Sequence, residues 1–67
     1  MSTLADELPR QQARCRTILE QALEIGPWGA FLAASLRASL ARAEKAAAAG
    51  DLAEMVAACK ELQDYSE

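Results

Sequence analysis

An all-α fold follows from three features of the chain. Ala, Leu, Glu, Gln, Arg and Lys dominate while β-branched and aromatic residues are scarce, which is the composition of helices rather than strands. Apolar residues recur at three- and four-residue steps over long stretches. Two glycine-centred breaks, Gly26-Pro27 and Gly50-Asp51, divide the chain into three segments of helical length. Tight turns make sequential helices near-antiparallel neighbours, so a small three-helix up-down-up bundle in a single domain (residues 1–67) is the simplest closure. The alternative is an extended second helix that pairs with its counterpart in another subunit, flanked by the other two.

The first helix is predicted from about Pro9 to Ile25. Pro9 fits best at a first helical position, with Asp6 and Glu7 just ahead of the positive helix end, which leaves residues 1–7 as a frayed lead-in. Cys15, Ile18, Leu19, Ala22, Leu23 and Ile25 form its apolar side, and Arg10, Arg14, Thr17, Gln21 and Glu24 its wet side. Its charges run against the macrodipole: Arg10, Arg14 and Arg16 lie early, Glu20 and Glu24 late. Either Asp6, Glu7 and an Arg16–Glu20 pair offset this, or the arginines meet an acidic partner or an anionic ligand.

Gly26 can take the left-handed conformation that ends the first helix, and Pro27 starts the second, predicted over 27–49. Its heavy stripe is Trp28, Leu32, Leu36, Leu40 and Ala43. Ala30, Ala34, Ser35, Ala38, Ser39 and Ala41 make the other faces small, so another backbone could approach closely, unless these are exposed helix formers. Gly50 stops this helix. Asp51 caps the third, with Glu54 completing an Asp-x-x-Glu capping box. The third helix is predicted over 52–65, with Leu52, Met55, Val56, Cys59 and Leu62 on its stripe and Glu54, Lys60, Glu61 and Asp64 facing water.

At 67 residues one thin core is all that can form, and such domains are marginal without staples or association. The hydrophobic fraction is 52%, but 16 of those residues are Ala. A homo-oligomer, most simply a dimer through the Ala/Ser-rich central helix, is therefore expected. The net charge is −3, and residues 51–67 carry five acidic groups against one basic. Nucleic acid is a poor partner for that balance. No apolar run approaches the roughly 20 residues that span a bilayer, and Met1 to Glu7 lacks the pattern of a signal peptide, so a cytoplasmic protein is expected.

Catalytic chemistry finds no support. The chain has no His, and Ser35, Ser39 and Thr17 have no base on the same face. Cys15 and Cys59, 44 positions apart, make no zinc site and read as small core residues, with a redox role as the lesser alternative. No cofactor is implied. Trp28 and Phe31 on the first turn of the second helix either cover the open end of the bundle, the expected arrangement in so thin a core, or protrude as anchors for another protein. Tyr65 reads as half-buried, with a hydroxyl in need of a partner.

Two stretches resemble known families. Ala41 to Met55, spanning Gly50-Asp51, resembles the helix–turn–helix of a tetratricopeptide-type repeat, but one αα-hairpin lacks the three or more repeats of a solenoid. Leu8-Pro9-Arg10-Gln11-Gln12-Ala13-Arg14, then Ile25-Gly26-Pro27 with Gly29-Ala30-Phe31, then Gly50-Asp51 with Met55, resemble small uncharacterised accessory proteins of Mu-like transposable phages and prophages. That resemblance implies a phage-encoded protein acting inside a bacterial host cell, and supplies no catalytic residues. The function expected is a non-enzymatic helical interaction module that binds a host regulator or defence protein through Trp28, Phe31, Arg10 and Arg14. The alternative is an oligomer that sequesters an anionic small molecule, such as a nucleotide, through its arginines.

Overall fold

A computed structural model describes residues 3–65. Three helices, α1 (Leu4–Ile25), α2 (Pro27–Ala49) and α3 (Leu52–Gln63), pack against one another as an up-down-up bundle measuring 35 × 23 × 15 Å.

Helix α1 begins five residues before the predicted start. Thr3 is its N-cap: the hydroxyl accepts from the Asp6 N–H at 3.3 Å, and the Thr3 carbonyl accepts from the Glu7 N–H at 2.8 Å. Pro9 thus lies inside the helix rather than at its first position. The ring removes a bond to the Ala5 carbonyl, but both residues are exposed, so water can take that oxygen. The compensation is apolar. Leu8 is buried and Leu4 packs on the core, and neither could do so from a frayed segment. Of the predicted lead-in, Met1 and Ser2 lie outside the described residues.

Gly26 alone joins α1 to α2, with φ 100° and ψ −144°. This is positive φ as expected, but not the left-handed helical well; the region is one that only glycine occupies readily. Pro27 follows at the start of α2, and the Gly26 carbonyl accepts from Ala30 N–H at 2.9 Å. Three residues on, Gly29 is buried against the main chain of α1 at Ala22, where a Cβ would collide with the Ala22 carbonyl. The two helices touch backbone to backbone there.

The second turn follows its predicted chemistry. Gly50 is left-handed (φ 66°, ψ 25°), its N–H reaches the Ala47 carbonyl, and the Asp51 N–H reaches that of Ala46, which together make a Schellman ending. The Asp51 side chain accepts from Glu54 N–H at 3.2 Å. The return half of a capping box is superfluous, because the Asp51 N–H is already taken.

The core is built from Leu8, Cys15 and Ile18 of α1, Leu36, Leu40 and Ala43 of α2, and Ala58, Cys59 and Leu62 of α3. Small residues of α2 do turn inward. Ala33, Ser39, Ala43 and Ala46 are buried, while Ala30, Ala34, Ala38 and Ala41 face solvent. Leu52 and Val56, expected on the buried stripe of α3, are exposed, and Ala58 takes an inward position instead.

Candidate interaction surface

The site is a consequence of unequal helix lengths. Helix α2 has 23 residues and α3 has 12, roughly 35 Å against 18 Å. Helix α3 runs back from Gly50 and stops where Tyr65 meets Ser35 and Ser39; its hydroxyl lies 2.7 Å and 2.9 Å from their Oγ atoms. On α1 it reaches only Arg14 and Cys15, whose partner is Leu62. Above that level the end of α1 and the start of α2 stand as a two-helix hairpin with its third side open.

Trp28 and Phe31 sit on that open hairpin. They are 87% and 83% exposed, so they do not cover the end of the bundle as expected from the thin core. Covering would need a third helix beneath them, and α3 ends too early. On α2, Trp28 lies seven residues from Ser35 and Phe31 four, so both continue the row that contacts α3 lower down. Ile25, at the top of α1, is 65% exposed beside them. From Ile25 to Leu36 no residue is charged. The result is a neutral apolar surface with a partly buried Leu32 beneath it.

The arginines are elsewhere and engaged. Arg14 donates from Nη1 to the Tyr65 carbonyl and from Nη2 to the Leu62 carbonyl, both at 2.7 Å, while its Nε holds Gln11 at 2.9 Å. Its position early in α1 opposes that helix's own dipole, but it stands at the negative end of α3 and caps it. Arg10 pairs with Glu7 at 3.1 Å. Arg16 pairs with Glu44 of α2 at 3.0 Å, not with Glu20. Arg10 and Arg14 are 15 and 11 residues from Ile25 along α1, roughly 22 Å and 16 Å, so both lie lower on the bundle than Trp28 and Phe31, at and below the level where α3 ends.

A polar network locks the lower half of α2 to α3. Ser39, buried, donates to Glu61 at 2.9 Å, and Arg42 bonds both Glu61 and Ser39. Hydrogen bonding to Arg42, aided by Ser39, holds the Glu61 carboxyl below the usual carboxylate range. Glu61 is thus not simply the water-facing residue expected. Its legible trace was Ser35, Ser39 and Arg42 at four- and three-residue spacing, one row of α2.

Cys15 and Cys59 are both buried free thiols, as their stripe positions implied. Burial pushes both thiols above their ordinary range, which disfavours the reactive thiolate. Among the described residues no group of three or more His, Cys, Asp or Glu side chains could hold a metal ion, and no helix is long and apolar enough to cross a membrane.

A concave surface lies between α1 and α2, walled by Leu19, Leu23, Leu40 and Ala41 and rimmed by Arg16, Glu20, Arg37 and Glu44. Its volume is about 380 Å³.

No family model, curated protein or solved structure matches this chain.

Proposed function

We propose that the chain is a non-enzymatic protein-interaction module whose docking surface is the open side of the α1–α2 hairpin, with Trp28 and Phe31 as anchors and Ile25 beside them. One observation carries the reading: the chain's one tryptophan and one phenylalanine are its most exposed large apolar residues, gathered where a third helix would otherwise run. Exposed aromatic residues in a contiguous apolar patch are what interface anchors look like, and in a monomer they would be a liability. Helix α3 ends at Gln63, below this level, so an amphipathic helix of the partner that continues its line is the occupant the open side suits. In the phage setting that the sequence resembles, the partner is a regulator or defence protein of the bacterial host. Sequestration of an anionic ligand has less support, because Arg10, Arg14, Arg16 and Arg42 are all held by partners within the chain.

The test is capture from host lysate by tagged wild-type and Trp28→Ala/Phe31→Ala chains, with the partner identified by mass spectrometry. Because both side chains are exposed, the variant keeps its helical circular dichroism and loses the partner. Trp28 is the sole tryptophan, so its emission shifts to shorter wavelength when the purified partner is added. Equal capture by the folded variant, or emission that does not move, defeats the proposal.

A further inference from the structure

The groove on the other side of the same hairpin has a different chemistry from the Trp28 surface. Its floor is apolar: Leu40 is part of the core, Leu19 is half-buried against it, and Leu23 is 52% exposed. Its rim carries two cations, Arg16 and Arg37, and two anions, Glu20 and Glu44. The rim is therefore neutral, in a chain whose net charge is −3. Two copies of the chain repel at most orientations, but not when these rims meet.

The order of the charges says more. Arg37 and Glu44 are seven residues apart on α2, so they point the same way, two turns from each other. Among the described residues Arg37 has no ion-pair partner, whereas Glu44 has one exposed partner, Arg16. We infer that this groove is a self-association surface, in which α2 of one chain lies antiparallel to α2 of a second copy about a two-fold axis between Leu40 and Ala41. In that register Arg37 of each copy faces Glu44 of the partner subunit, twice by symmetry. The half-exposed Leu23 is covered in the same step. The exposed Ala41 beside the axis, and Ala34 two turns further along the same face, allow the helices to approach closely. A partner of any other kind would have to reproduce this alternation, whereas a second copy carries it already.

The inference stands apart from the Trp28 reading, since the two surfaces flank opposite sides of the hairpin. Sedimentation velocity on the full chain tests it, with four variants and one mixture. Wild type sediments as a dimer. Arg37→Glu and Glu44→Arg each place like charges opposite one another and raise the dissociation constant by about tenfold to a hundredfold. An equimolar mixture of the two variants returns to the dimer, because every facing pair is again of opposite sign. Leu23→Asp, at an exposed position, gives a folded monomer, and Trp28→Ala/Phe31→Ala stays dimeric. A monomeric wild type, an Arg37→Glu chain that dimerises like wild type, or a mixture of folded variants that stays monomeric overturns the inference.

Discussion

Replacing Arg14 by Met keeps the length and apolar stem of the side chain and removes the fork that joins α1 to the end of α3. The two bonds at 2.7 Å come from a charged donor to main-chain carbonyls at a half-buried site. Hydrogen bonds of that kind contribute about 1.5–3 kcal/mol each where they are well shielded; partial exposure brings the pair down to about 2–3 kcal/mol in total. A domain of this length has about 3–10 kcal/mol of stability, so the loss is a large fraction of the whole. At about 4–8 °C per kcal/mol, the melting temperature drops by roughly 10–20 °C. Urea unfolding followed by far-ultraviolet circular dichroism measures the first quantity, and a thermal scan the second. Arg14→Lys does not rescue it, because one ammonium cannot span both carbonyls in the fixed fork geometry. A change of less than about 0.5 kcal/mol, the range of an ordinary surface substitution, would refute the capping role.

Three further outcomes follow from other contacts. Gly29→Ala gains about 1 kcal/mol of helix propensity but drives a methyl into the Ala22 carbonyl and forces the hairpin apart; overpacking of about 1–3 kcal/mol or more wins, and a melting temperature at or above wild type would contradict the close approach. Glu61 has a lowered folded-state pKa, so its contribution is present above the unfolded carboxylate value and is lost as pH falls through the lower, folded one; Glu61→Gln therefore flattens the acid limb of a stability–pH profile, and an unchanged limb counts against the Arg42–Ser39–Glu61 network. Cys15 and Cys59, buried and held as thiols, are alkylated at neutral pH only on the timescale of unfolding, so labelling as fast as that of a small-molecule thiol would show the core to be open.

Local chemistry made the turns legible and distance hid the surface. Gly50-Asp51-x-x-Glu54 carries a helix stop and a helix start within five residues, and nothing remote competes with it. Pro9 was misleading because the decision belongs to Leu8 and Leu4, whose burial against other helices outweighs one missing hydrogen bond at an exposed position. The charge pattern of α1 was correctly odd, but its cause lies nearly fifty residues away in sequence, at the carbonyls of Leu62 and Tyr65. Trp28 is the sharpest case. Its spacing to Leu32, Leu36 and Leu40 puts it on a stripe, yet whether that stripe is covered along its whole length depends on where α3 ends.

The difference in length between α2 and α3 also decides what the molecule can present. A third helix as long as the other two would bury Trp28 and Phe31 and leave a closed bundle with a larger core. Ending α3 at Gln63 forgoes that burial, and in so small a domain the forgone stabilisation is not trivial: a fully buried large apolar side chain contributes about 1.5–3 kcal/mol. The groove on the opposite side offers a way to recover it, since covering Leu23 in a dimer shields apolar area without touching the aromatic end. Such a dimer carries two Trp28 surfaces related by a two-fold axis. A target protein that is itself a symmetric dimer would then be gripped twice, and avidity through the second contact can exceed the single-site affinity by about 10²–10⁴ where the geometry permits both. Arg37→Glu separates the two effects: it leaves each Trp28 surface intact while removing the second grip, so a dimeric target is bound far more weakly and a monomeric one equally well.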